Sequence, residues 1–189
     1  MNRFIGAVLL FWMGAANVGA NDWVLDSGSL RFSGTQQEEP FTGEFKRFAP
    51  VIRFDPAHPE STSIDVTIDL ASADSAQEER DSALQAPEWF DVAQFPKASF
   101  VAKAATAQPN GSFESKARLS LRGVTQELAF PFTWSREGDR ARLRAQVTLD
   151  RLSFGLGTGE WADADWVGHS VVVDVDVWLK PAPPESAAR

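Results

Sequence analysis

Cysteine and tyrosine are absent from the 189 residues, and histidine occurs twice, at His58 and His169. Without cysteine there is no disulfide, no thiolate catalysis, no cysteine-ligated metal and no acyl anchor of the lipoprotein kind. The two histidines lie far apart, one in a proline-bounded turn and one opening the last apolar segment. They read as surface or hydrogen-bonding residues rather than an acid–base pair. Positive charge is in deficit: Lys+Arg 18 against Asp+Glu 26 gives −8, and residues 1–20 contribute only Arg3. An acidic chain repels phosphate backbones and anionic membranes, so no nucleic-acid partner is expected. Long apolar runs are lacking too. The run Phe4 to Met13 is too short to span a bilayer. It follows Arg3 and precedes Val18-Gly19-Ala20, as in a secretory signal peptide cleaved before Asn21. These features predict export, to the bacterial periplasm, with no stable membrane anchor.

What the chain does have is period-two alternation. From Arg140 to Asp150 apolar residues (Ala141, Leu143, Ala145, Val147, Leu149) alternate without a break with Arg140, Arg142, Arg144, Gln146, Thr148 and Asp150. Ile64, Val66, Ile68 and Leu70 alternate with Asp65, Thr67 and Asp69, and Val171, Val173, Val175, Val177 and Leu179 repeat the pattern. Such strands have one dry and one wet face. The stripe of Arg140, Arg142 and Arg144 therefore reads first as a solvated sheet face. Strands are predicted at Leu30 to Phe32, Phe41 to Phe54, Thr62 to Leu70, Ala98 to Lys103, Phe113 to Leu121, Leu128 to Trp134, Arg140 to Asp150 and His169 to Lys180. Ser75 to Gln85 breaks the period, and Ser75 with Glu78 has capping-box spacing for one short helix that Pro87 stops.

About eight one-sided antiparallel strands close into a barrel whose interior is either packed or open to one small ligand. The expectation is thus an all-β, lipocalin-like antiparallel barrel over residues 21–180, one short helical insertion, and a disordered Pro- and Ala-rich tail over 181–189. Small residues on the inward parity (Ala98, Ala102, Ala117, Ala141, Ala145) either leave volume or fit the taper of a filled barrel. Strands of this length enclose a lumen roughly 25 Å tall, enough for a straight chain of about 20 carbons.

Chemistry-bearing alternatives are thin. Glu160, Asp163 and Asp165 crowd one loop but match no twelve-residue calcium loop. Gly155, Gly157 and Gly159 have dinucleotide-like spacing, yet no helix pattern follows to receive a phosphate, and they read as a flexible connection. No serine sits in a nucleophile-elbow word. No enzyme activity, metal or cofactor is therefore expected.

Several short words occur in order: Phe54-Asp55-Pro56, Arg80-Asp81 with Leu84, Trp89-Phe90-Asp91, Phe95-Pro96-Lys97-Ala98-Ser99-Phe100, Leu121-Arg122-Gly123-Val124-Thr125, Asp150-Arg151 with Phe154-Gly155-Leu156-Gly157, and Val167-Gly168. From Trp23 to Leu179 the chain thereby resembles the YceI-like lipid/polyisoprenoid-binding family. The resemblance implies a barrel whose lumen holds a long isoprenoid, an isoprenoid quinone or a fatty-acid-like amphiphile. Many relatives carry a histidine after the first strand's aromatic residue, whereas Phe32 is followed here by Ser33-Gly34-Thr35.

On this reading the lumen or its mouth is lined by Phe32, Phe45, Phe54, Val66, Ile68, Leu84, Trp89, Phe90, Phe100, Leu119, Leu121, Phe130, Phe132, Leu143, Ala145, Val147, Phe154, Val173 and Val175. Leu84, Trp89 and Phe90 serve either as a lid over one mouth or as a plug, and Arg80 and Asp81, adjacent on a helix, take separate partners. The alternative is a periplasmic stress-related interaction module with a filled barrel and no lipid. A homodimer stays open.

Overall fold

The computed structural model describes residues 22–183. The expected signal peptide, its cleavage site and residues 184–189 lie outside the described residues. The elements are β1 (Asp22–Gln36), β2 (Glu39–Phe45), β3 (Phe48–Arg53), β4 (Ser63–Asp69), β5 (Ala73–Asp74), α1 (Glu78–Gln85), β6 (Lys97–Ala107), β7 (Phe113–Leu121), β8 (Val124–Glu137), β9 (Arg140–Asp150) and β10 (Ser170–Pro181).

Neighbouring strands run β10-β9-β8-β7-β6-β4-β3-β1, and β1 returns to pair with β10, which closes the sheet. β2 extends the position of β3, pairing with the second half of β1 while β3 pairs with the first. β5 extends β4 in the same way by pairing with β2. The wall therefore has eight positions, all antiparallel, as the alternation predicts. The expected single strand from Phe41 to Phe54 is bent between β2 and β3. There the Lys46 N–H donates to the Ser72 carbonyl and the Arg47 N–H to the Ser72 hydroxyl, each at 3.0 Å.

β1 is 15 residues long where only Leu30 to Phe32 is legible as strand. A bulge between Leu25 and Ser27 resets its parity, so Trp23 and Leu30 both face inward despite their odd separation. β6 does the same at Ala104, whose φ is 53°, and Ala102 and Ala105 are both buried.

The β8–β9 ladder stops at Phe132↔Ala145. Counting from the two-residue turn at Gly138-Asp139, the next hydrogen-bonded pair would join Pro131 to Gln146, and proline has no N–H to contribute. Beyond it the 3-10 turn Arg151–Phe154 packs on β8. Its Phe154 is buried, and the Gln126 side chain donates to the Ser153 carbonyl at 3.1 Å.

The helix begins at Glu78, later than expected, and Ser75 does not pair with Glu78. Instead the Ser75 N–H and hydroxyl both donate to Asp81 Oδ1, at 2.8 and 2.6 Å. Asp81 and Arg80 thus take separate partners, since Arg80 Nε donates to Gln36 Oε1. The start of the expected tail is also ordered: Pro181 pairs with Trp23, and the Ala182 N–H donates to the Asp22 carbonyl at 2.8 Å.

Outside the wall the arginine stripe is neutralised by its neighbours. Arg142 makes a bidentate pair with Asp176 (2.7 and 2.6 Å), Arg144 lies 3.7 Å from the same carboxylate, and Arg140 meets Asp26 at 2.7 Å. The hydrogen bond from Arg142 holds the Asp176 carboxyl below its ordinary value of 3.8.

Closure and the neutralised arginine stripe each yield a prediction. Gly28 has φ 137°, and a Cβ there would stand 2.4 Å from the Asp176 carbonyl oxygen. Gly28→Ala should therefore cost about 2 kcal/mol or more, a fall of roughly 4–8 °C in melting temperature. Gly111→Ala, whose Cβ would meet nothing within 4 Å, should cost less in the same scan. Asp176 stabilises the fold above its unfolded pKa, and that contribution is lost as pH falls through the lowered folded value. The gap in melting temperature between wild type and Asp176→Asn should accordingly shrink as pH is taken from about 7 towards about 2.

Candidate functional site

The inward side chains fill the barrel unevenly. At the end carrying Trp23 and Leu179 they form an aromatic plug. Phe54 meets Phe113 at 4.9 Å, Phe132 at 5.3 Å and Trp134 at 4.8 Å between ring centroids, and Trp23 meets Trp134 edge-on at 5.5 Å. Toward α1 the interior opens into a cavity of about 400 Å3. Phe48, Val66, Phe100, Leu128 and Val175 form its floor, because they pack against both this plug and the second buried cluster around Phe32, Leu70 and Phe154. A cavity of this size falls within the span of small-molecule sites, about 300–1,000 Å3.

Sixteen of the expected lining residues stand in the cavity wall: Phe32, Phe45, Val66, Ile68, Leu84, Trp89, Phe90, Phe100, Leu119, Leu121, Phe130, Leu143, Val147, Phe154, Val173 and Val175. Three do not. Phe54 and Phe132 belong to the plug, packed ring on ring at 5.3 Å and outside the lining of this cavity. Ala145 sits opposite Phe132 where β8 and β9 part, packed against the plug cluster. The lumen is consequently shorter than strand length alone predicts. Sequence reasoning missed Leu30, Phe41, Phe48, Leu70, Leu128, Leu149, Leu156, Val171 and, at the mouth, Gln36, Gln77, Arg80, Arg151 and Trp161. Most of the apolar ones share a parity with residues that were found, and Leu149 and Val171 were visible in the alternation itself.

Leu84 on α1, with Trp89 and Phe90 just after the helix, lines the cavity, and the plug lies at the opposite end. Phe90 packs on Phe45 at 5.9 Å. Trp89 lies 6.1 Å from Trp161 and beneath the Arg151 guanidinium, at 5.3 Å.

Arg151 organises the rest of the mouth. It is 2% exposed and spends its donors on five backbone carbonyls. Nε reaches Gly168 (3.0 Å), Nη1 reaches Leu156 (2.8 Å) and Gly157 (2.6 Å), and Nη2 reaches Trp161 (2.5 Å) and Val167 (2.8 Å). Guanidinium has five N–H groups, so none remains for a ligand. Burial pushes its pKa below arginine's ordinary value, opposed by the nearby Asp150 charge. Segment 155–168 is thus pinned rather than a flexible connection. Its Gly157 N–H donates to the Glu88 carbonyl at 2.7 Å, and a Cβ at Gly157 would lie 2.6 Å from Arg151 Nη1. Arg122 joins this segment to the end of α1, donating to the Gly155 carbonyl and, at 2.6 Å, to that of Pro87.

The remaining polar candidates are engaged locally. His58 is exposed, 3.5 Å from Glu60, and His169 Nε2 lies 2.7 Å from the Ala162 carbonyl. Asp163 Oδ1 accepts from the Asp165 N–H at 3.0 Å in a local turn.

Residues 23–179 match the YceI-like domain family. Among curated proteins, a UPF0312 protein of Shewanella oneidensis is 29% identical over 166 residues, covering 82% of this chain and 85% of the relative. A UPF0312 protein of Pseudomonas putida is 32% identical over 120 residues, covering 60% of this chain and 62% of the relative. This chain therefore spans less than two thirds of the Pseudomonas putida relative it matches. Among solved structures, BcnA of Burkholderia cenocepacia superposes with a TM-score of 0.77 at 26% identity, covering 80% of this chain and 95% of that one. A polyisoprenoid-binding domain from Saccharophagus degradans superposes with a TM-score of 0.69 at 15% identity, covering 85% and 98%.

The clamp carries a prediction. Lysine has three N–H donors and no fork, so Arg151→Lys leaves at least two buried carbonyls without a donor. The expected loss is about 2–5 kcal/mol in urea unfolding, since each unsatisfied buried group costs about 1–3 kcal/mol.

Proposed function

The chain belongs to the YceI-like family, and from that premise we propose that it binds an isoprenoid or similar amphiphilic lipid in the barrel lumen and catalyses no reaction on it. The observation that carries this reading is the cavity of about 400 Å3, walled by inward-facing Val, Leu, Ile and Phe and bordered by polar groups only at the α1 end. Such a wall offers a hydrocarbon chain release from water worth about 0.8 kcal/mol per methylene, with no charged contact required. The Saccharophagus degradans domain of the same fold, described as polyisoprenoid-binding, supports the ligand class.

A chain longer than the cavity leaves its remainder at the mouth, so partial enclosure of a long isoprenoid is the expected mode. Isoprenoid quinones and fatty-acid-like chains share the apolar tail on which this reading depends. Export to the periplasm is part of the proposal, supported by Arg3, the apolar run that follows it and Val18-Gly19-Ala20. The alternative of a filled barrel serving only as an interaction module fits the plugged end and leaves the cavity without a use.

The test is a lumen block. Val173 and Val147 face each other across the β9–β10 ladder, and both line the cavity. Val173→Phe should fill volume that is open and so keep the protein folded, while lowering occupancy by a prenyl ligand about tenfold or more in native mass spectrometry. Thr148→Ala, on the outer parity, should leave occupancy unchanged. Equal occupancy in both variants would place the lipid outside the barrel.

A further inference from the structure

The mouth contains one fixed cation whose hydrogen-bonding capacity is largely unspent. Arg80, half-buried on α1, lines the cavity opening. Its Nε donates to Gln36 Oε1 at 3.1 Å, and its guanidinium carbon lies 4.5 Å from the centroid of the Phe41 ring. Those two contacts orient the plane of the guanidinium from one edge and one face. No carboxylate of the described residues lies within ion-pair distance of it. Its neighbour Asp81 is bound to Ser75. The two terminal nitrogens of Arg80 therefore keep a planar pair of donors that matches two oxygens of a carboxylate or phosphate. The other arginine at the opening, Arg151, has no donor left.

We infer that Arg80, steadied by Gln36 and Phe41, is the head-group site of this cavity, and that the ligand it selects is an amphiphile with an anionic oxygen head. The inference rests on the lipid-binding reading. A hydrocarbon tail lodged over Val66 and Phe100 brings its polar end to the α1 rim, where Arg80 is the half-buried cation without a carboxylate. Neutral heads, an alcohol or a quinone, engage the same donors without the charge-assisted gain. Glu79 also lines the mouth and opposes an anionic head, so it sets an upper limit on the selectivity.

Three ligands with one tail separate head from tail: farnesol, farnesoic acid and farnesyl monophosphate, titrated into the delipidated full chain. The expected result is binding of the acid or the phosphate about tenfold or more tighter than the alcohol. Arg80→Gln should reduce that preference to about threefold or less, with acid and phosphate affinity falling by a larger factor than farnesol affinity. Glu79→Gln, which keeps Arg80, should raise the preference. Whichever of acid and phosphate binds more tightly identifies the head class. Equal binding of all three ligands to the wild type, or an unchanged preference in Arg80→Gln, overturns the head-group site and leaves the lipid reading standing. Failure of all three to bind overturns the lipid reading itself.

Discussion

Everything in this molecule depends on the ladder that joins the first strand to the last. Ten residue pairs, from Trp23↔Pro181 to Ser33↔Val172, turn an open sheet into a cylinder by covering the edges that β1 and β10 would otherwise leave bare toward each other. The same ladder sets what lies inside. It presents Trp23 beside Trp134 and Phe54 to form the plug, and it places the valines of β10 around the cavity. On the outside it brings Asp26 against Arg140. Close contact between the two strands is allowed because Gly28 offers no Cβ to strike the β10 backbone.

Given closure, the way the inward rings mesh decides where space remains. One end receives Phe54, Phe113, Phe132 and Trp134, whose rings mesh, while toward α1 valines, leucines and the rings of Phe32, Phe45 and Phe90 stand around an open axis. Over the wide end the chain must cross in irregular structure, and such a path buries carbonyls that no sheet partner can satisfy. Arg151 gathers five of them on one side chain. A cation thus stands beside an apolar cavity for a purely structural reason, whereas Arg80, a short distance along the rim, is held in place with donors to spare. The two arginines differ in role although composition alone treats them alike.

The barrel was legible because a wet outer face and a dry inner one force period two on β4, β9 and β10, and the cavity wall inherits that parity. What could not be read has identifiable causes. The length of β1 was hidden by Asp26-Ser27-Gly28-Ser29, a polar stretch that a bulge and the closing ladder carry as strand. The division of the interior into plug and cavity depends on which inward residues stand at the same height, which is a matter of register between strands distant in sequence. For that reason Phe54, Phe132 and Ala145 looked equivalent to Phe130 and Leu143. The capping pair at Ser75 and Glu78 had the right spacing, but Asp81 competed for the same serine. Arg151 carried no signal as a clamp, because its partners are backbone carbonyls and have no residue identity to recognise.

The plug has a further consequence for any chain-like guest. A tube stoppered at one end is a blind alley along its axis, so a guest goes in tail first and comes out head first through the same doorway. Entry and exit of such a guest therefore share one face of the protein, the one formed by α1 and the pinned segment 155–168. Whatever withdraws the guest can grip only the head, the one part that Arg80 is placed to hold.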